Sequence, residues 1–322
     1  MSPLLEVRDL SVSFPVRHGA RIVRLRALDE VSLHVGRGET LGIVGESGSG
    51  KSTLARTVLR LNDADRGQVR FDGADLLALR GAQLQRTRAR LQMIFQDGIA
   101  ALDPRQRVRA ALEEPLQTLR PEWSARQRAE RVMALLTRVG LEPGHLQRFP
   151  HELSGGQAQR AGIARALLVE PELVVCDEPL SSLDVSIKAQ ITDLLLELER
   201  ELKLSMIFIA HDLPAVQRLS DRVLVLYLGR VLETAPCNAL FRRPRHPYTR
   251  ALLQSQPVPD PRVARARRAV PLAGELPSAL APPSGCVFRT RCAYVIDRCA
   301  REQPRLRLVD GNEVACHRAE EV

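Results

Sequence analysis

The chain has 322 residues, 44% of them hydrophobic and 26% charged, which suits one large domain with an extension or two domains and excludes a wholly disordered chain. The net charge is +9, but all except three of the 47 basic residues are arginines spread over the whole chain, so charge alone selects neither nucleic acid nor an anionic membrane face. Aromatic residues are only 3%, leaving few stacking platforms for single strands; the N-terminus has no secretory pattern, and no apolar run nears the roughly 20 residues that span a bilayer. A soluble, cytoplasmic protein is expected, and six cysteines in that reducing setting argue against a disulfide framework.

In chain order, Leu5 to Phe14 alternates as a strand does and ends before a polar turn at Arg17-His18-Gly19. Val31 to Val35 predicts a second strand and Thr40 to Val44 a third. The third runs into Gly45-Glu46-Ser47-Gly48-Ser49-Gly50-Lys51-Ser52, which fits the P-loop pattern G-x-x-x-x-G-K-[ST], with a helix expected from Thr53 to Leu61. Strand, glycine loop and helix suit a polyphosphate: glycines let successive N–H groups point inward, and the helix N-terminus adds donors and partial positive charge. Gln68 to Phe71 and Leu91 to Phe95 predict strands, the latter stopping at Gln96. From residue 97 to about 151 apolar residues fall at helical spacing, with Ala129, Val132, Met133, Leu136 and Val139 on one face, as in a helical insertion.

Leu153-Ser154-Gly155-Gly156-Gln157 then opens a helix, and Leu173 to Cys176 is a continuous apolar run, the mark of a parallel strand covered on both faces. It ends in Asp177-Glu178-Pro179. Ile187, Ile191, Leu194, Leu195, Leu198 and Leu202 form one helical stripe. Met206 to Ala210 predicts a buried strand ending at His211, and Val223 to Tyr227 with Arg230 to Leu232 a hairpin about Gly229. Beyond about residue 242 proline becomes frequent, Arg262, Arg265, Arg267 and Arg268 form a basic run, and four of the six cysteines occur.

Strand–loop–helix units with apolar strands imply a mostly parallel sheet, whose ligands bind at the carboxyl ends of the strands. Gln96, Asp177, Glu178 and His211 each follow such a strand. With Lys51 on the β- and γ-phosphates, Ser52 and Asp177 suit Mg²⁺, Glu178 suits polarising the attacking water, His211 the γ-phosphate, and Gln96 water or metal. The Ser154 loop makes a second anion-binding helix N-terminus without a lysine. Two copies, or two related chains, packed head to tail would join one P-loop to the other's Ser154 loop.

These residues resemble the ATP-binding subunits of ABC transporters over residues 5 to about 235. Gly45 to Ser52 matches Walker A, Gln96 the Q-loop, Leu153 to Gln157 the LSGGQ signature, and Leu173 to Glu178 Walker B with its glutamate. Ser182-Leu183-Asp184 matches the D-loop, His211 the switch histidine, and Phe14 the ring placed against adenine. The segment His246-Pro247-Tyr248-Thr249-Arg250-Ala251-Leu252 resembles the extension on oligopeptide, dipeptide and nickel importers. The resemblance implies an α/β fold with a P-loop NTPase core: a RecA-like mixed sheet with N-terminal antiparallel strands, a helical subdomain and a short irregular C-terminal extension. It implies an ATP-binding domain over 1–242, with the helical part at about 97–154, and an extension over 243–322. ATP and Mg²⁺ are the implied ligands, held by Phe14, Gly45, Glu46, Ser47, Gly48, Ser49, Gly50, Lys51, Ser52, Thr53, Ser154, Gly155, Gly156, Gln157 and Asp184, with Asp177 and Gln96 at the metal and Glu178, His211 and Gln96 in catalysis.

The implied activity is ATP hydrolysis powering import of peptides, or of nickel or another small solute, from the cytoplasmic side of the inner membrane. The implied partners are a paralogous ATP-binding subunit, two membrane permeases and an extracytoplasmic solute-binding protein, with no nucleic acid. A soluble ABC ATPase acting on ribosomes or DNA is the alternative, although such proteins usually carry two cassettes or a long coiled coil. Cys286, Cys292, Cys299 and Cys316 are spaced more widely than zinc-ribbon or ferredoxin cysteines. Similar importer tails imply a [4Fe–4S] cluster here; zinc, or four reduced thiols, are the other readings.

Overall fold

The computed structural model describes residues 2–19, 21–255 and 274–321; the basic run at Arg262 to Arg268 lies outside them. Strands β1 (Leu5–His18) and β2 (Arg21–Val35) form one long antiparallel hairpin. Hydrophobic alternation predicts strand only to Phe14 and again from Val31. The intervening residues are strand because Val23, Leu25 and Ala27 turn partly inward while Arg24 and Arg26 face solvent. An antiparallel sheet tolerates such a wet face, and the arginines hide the alternation from a hydrophobicity scan.

β3 (Thr40–Val44) leads through the glycine loop to α1 (Lys51–Val58). β4 (Arg66–Phe71) and β5 (Ala74–Asp75) return to the first sheet, whose order is β2-β1-β4-β5. α2 (Gly81–Arg90), a helix that the apolar pattern does not predict, precedes β6 (Leu91–Ile94). The expected helical insertion contains α3 (Val108–Leu119) and α4 (Ala125–Arg138), the latter opened by a capping box between Ser124 and Gln127, and leads into α5 (Gly155–Leu167). β7 (Leu173–Asp177), α6 (Val185–Leu202), β8 (Ser205–Ile209), α7 (Leu213–Leu219), β9 (Arg222–Tyr227) and β10 (Arg230–Pro236) follow. The remaining chain contributes α8 (Cys237–Arg242), α9 (Pro247–Gln254), a short helix at Asp297–Arg301, β11 (Arg307–Val309) and β12 (Asn312–Val314).

The main sheet runs β11-β12-β10-β9-β3-β8-β7-β6, with β9, β3, β8, β7 and β6 parallel and the other three antiparallel. Side chains alternate across a strand. On β7, Leu173 and Val175 therefore pack with the first sheet and α1, while Val174 and Cys176 pack with the helices behind. Both faces are dry, which explains why β3, β7 and β8 read as uninterrupted apolar runs. The carboxyl ends of these strands fall along one edge of the sheet, and the site forms there.

The extension joins the same sheet. Glu233 on β10 pairs in register with Val314 on β12. Its carboxylate is fully buried and accepts the backbone N–H groups of Arg245 (2.8 Å) and His246 (3.0 Å) and the Nδ2 of Asn312 (2.9 Å). Tyr227, Tyr248 and Phe288 pack ring against ring, with centroids 4.7 to 5.5 Å apart.

Candidate nucleotide site

The glycine loop is threaded between two strands. A β-carbon on Gly45 would lie 2.1 Å from the Leu226 carbonyl oxygen of β9. One on Gly50, at φ +106°, would lie 2.5 Å from the Ala27 carbonyl oxygen of β2. Only glycine fits either place. Gly50 also caps α1 without a side chain, so the first N–H groups of that helix have no internal partner. Lys51 is 5% exposed, and its Nζ donates to the carbonyls of Gly45 (2.8 Å) and Glu46 (3.0 Å). Burial pulls its pKa down, against the opposing fields of Glu178, Asp177 and Glu46.

Ser52 Oγ donates to Asp177 Oδ1 at 2.9 Å. Asp177 is buried, which raises its pKa, and the Ser52 hydrogen bond opposes the rise. A hydroxyl and a carboxylate side by side below the glycine loop form an oxygen donor set that suits Mg²⁺ shared with phosphate. Glu178 adopts φ +49°, a left-handed conformation that costs a non-glycine residue about 1–2 kcal/mol. Its N–H donates to the Ile209 carbonyl at 2.9 Å, which holds the bend, and its Oε2 stands 3.6 Å from Nδ1 of the exposed His211.

A cavity of about 380 Å³ opens at this edge, within the range of small-ligand sites. Phe14, Ser47, Gly48, Gly50, Lys51, Ser52, Thr53, Gln96 and Glu178 all line it. Gly45, Glu46 and Ser49 do not: Ser49 is buried behind the loop, and the Glu46 carboxylate pairs with Arg291. Leu25, Arg26 and Ala27 of β2, Leu228 and Gly229 of the β9–β10 turn, and Ala279 of the extension also line the cavity, and no motif in the sequence points to them. The alternation of Val23, Leu25 and Ala27 was the available signal for the first group.

Ser154, Gly155, Gly156 and Gln157 are not among the residues of that cavity. Ser154 caps α5: its Oγ accepts the Gln157 N–H at 3.3 Å, and its own N–H donates to Gln157 Oε1 at 3.0 Å. A β-carbon on Gly156 would meet Ile187 at 3.0 Å, so this loop lies beside the start of α6. Asp184 precedes α6 and makes no cap hydrogen bond with its side chain, and Val185 is 85% exposed.

All six cysteines are reduced. Cys286, Cys292, Cys299 and Cys316 lie near one another; burial pushes Cys286 up to about 12 and Cys316 to about 11, and raises Cys292 as well. The Tyr294 and Arg318 N–H groups donate to the sulfurs of Cys292 and Cys316, each at 3.4 Å. Among the described residues no group of three or more His, Cys, Asp or Glu side chains is arranged to hold an ion. Burial favours the protonated form of Cys286, Cys292 and Cys316.

A mixed sheet with parallel central strands, a P-loop at their carboxyl edge, a serine bonded to a buried aspartate and a glutamate beyond it define a P-loop ATPase cassette. Residues 28–181 match the family described as ABC transporter, and residues 232–299 that described as oligopeptide/dipeptide transporter, C-terminal region. The chain is 48% identical over 97% of its length to the oligopeptide transport ATP-binding protein OppF of Salmonella typhimurium, covering 95% of that protein. It is 47% identical over 94% of its length to OppF of Haemophilus influenzae, covering 92% of it. The dimeric post-hydrolysis structure of the ATP-binding cassette MJ0796 with ADP and Pi superposes with a TM-score of 0.65 at 28% identity, covering 72% of this chain and 98% of that one. The chain belongs to the ATP-binding subunits of ABC transporters, in the oligopeptide/dipeptide branch. Among the described residues no helix is long and apolar enough to cross a membrane.

Proposed function

We propose that this chain hydrolyses ATP to drive import of di- or oligopeptides, as one of two ATP-binding subunits on the cytoplasmic side of the inner membrane. The observation that carries the reading is the convergence of Phe14, Lys51, Ser52, Gln96 and Glu178 on one cavity while the Ser154 loop opens elsewhere. Lys51 and the uncapped N–H groups of α1 hold the phosphates, and Phe14 lies against the base. Mg²⁺, when bound beside Ser52 and Asp177, neutralises phosphate charge. Glu178 orients and polarises the attacking water, His211 steadies the γ-phosphate, and Gln96 reports the site to the neighbouring subunits.

Ser154, Gly155, Gly156, Gln157 and Asp184 serve a nucleotide held mainly by a second ATP-binding subunit, which is a paralogue in this reading. Two permeases and an extracytoplasmic binding protein complete the importer, with no nucleic acid partner. We take residues 1–242 as the ATP-binding domain, 97–154 as its helical part and 243–322 as the extension. Peptide-stimulated ATP turnover in the reconstituted complex tests the function; stimulation by nickel instead, or co-purification with rRNA or DNA, discards it. The [4Fe–4S] reading is supported only by the convergence of the four tail thiols. Iron and zinc analysis of anaerobically purified protein decides it, and traces of both discard it.

A further inference from the structure

Glu46 is a carboxylate inside a loop that receives a polyanion. Its backbone N–H is donated to Tyr248 Oη at 2.9 Å, so that donor is turned away from any phosphate. Its carboxylate oxygens accept from Arg291 Nη1 at 3.0 and 2.9 Å. The Arg291 side chain is 7% exposed. Its Nη1 also lies 3.4 Å from Tyr227 Oη, and its guanidinium stands 6.0 Å over that ring. Tyr248 is fully buried and packs on Tyr227 and Phe288. Ala279 lines the nucleotide cavity itself. Three points of the extension therefore meet the P-loop and its cavity, two of them on one residue.

We propose that Tyr248 and Arg291 are positioning residues for the P-loop: the extension fixes the loop's first turn and neutralises the Glu46 charge, and so sets nucleotide affinity. The proposal rests on the reading that residues 45–52 hold ATP phosphates. Without Arg291, a half-buried carboxylate is left unpaired in the phosphate-binding loop and repels the phosphates. Without the Tyr248 hydroxyl, the Glu46 N–H loses its acceptor and the loop loses one tether. Neither residue meets the reacting atoms, so the effect falls on binding and not on chemistry.

The test uses the full-length chain, with Mg-ATP affinity read by titration calorimetry and turnover read in the assembled complex. Arg291→Ala weakens affinity about tenfold or more, and Tyr248→Phe about two- to tenfold. Turnover at saturating ATP stays within about twofold of the parent in both, so KM rises alone. Arg291→Lys, which keeps the charge, restores most of the affinity. Adding Glu46→Gln to Arg291→Ala also recovers affinity, because the unpaired charge is gone; a merely structural brace gives no such rescue. Lys51→Ala is the control for the underlying reading. If Lys51→Ala loses ATP while Arg291→Ala and Tyr248→Phe bind as the parent does, the proposal fails and the nucleotide site stands. If Lys51→Ala binds normally, the nucleotide reading itself fails. Should Arg291→Ala not fold, Tyr248→Phe and Arg291→Lys decide: unchanged affinity in Tyr248→Phe overturns the proposal.

Discussion

The two glycine loops of this chain both open helices, and they are finished in opposite ways. α1 begins at Gly50 with no side-chain cap, so its leading N–H groups point at the cavity with no internal partner. α5 begins at Ser154 with a complete capping box, in which Ser154 and Gln157 satisfy each other's backbone. The first loop leaves its leading N–H groups to an anion, whereas in the second the capping box already occupies the Gln157 N–H. The first is also braced by the extension through Tyr248 and Arg291, whereas the second lies on an open face beside exposed Val185. An anion-binding loop is thus made strong by leaving donors uncapped and by fixing the loop from behind.

This contrast can be tested at graded cost. Glu178→Gln removes the carboxylate next to the first loop while keeping its shape; turnover is expected to fall at least about 100-fold with ATP binding retained, measured by phosphate release beside calorimetry. Near-normal turnover would remove Glu178 from its role. Lys51→Ala should weaken ATP about 10- to 100-fold, the worth of charge-assisted hydrogen bonds to phosphate. A comparable loss of own-chain affinity in Ser154→Ala would erase the distinction between the loops.

Acid should act on the brace of the first loop. His246 is fully buried and neutral, its Nδ1 accepts the Tyr248 N–H at 3.0 Å, and burial lowers its pKa to about 3. The unfolded chain takes up the proton near pH 6.5 and the folded one near 3, so stability is full above pH 6.5 and is lost as pH falls toward 3. At pH 5.5 the loss is about 1.3 kcal/mol relative to neutral pH, read from the difference in urea midpoints between the parent and His246→Gln. The smallest effect is the stability of Ser154→Ala, about 1 kcal/mol for one lost cap, by thermal unfolding without nucleotide.

Much of the site was legible because its residues sit at strand ends in fixed order. Gln96, Asp177, Glu178 and His211 each follow an apolar run, Lys51 follows a glycine loop opened by one, and dry strands advertise themselves as such runs. β2 was half legible, since its arginines obscure a period of two that Val23, Leu25 and Ala27 keep. The small helices and strands of the extension are too short to show a period. The contacts of Glu46 with Tyr248 and Arg291 were not legible at all, because they join positions 202 and 245 residues apart and leave no local pattern. Glu46 reads as one more P-loop residue until its two partners are seen.

The register of β12 on β10 has a practical consequence for shortened versions of the chain. A truncation ending before Asn312 would strip a donor from the Glu233 carboxylate and bare the flank of β10, offering unpaired backbone to any neighbouring strand. Such a fragment, cut to the ATPase core for convenience, should be prone to aggregation in proportion to the ladder it has lost.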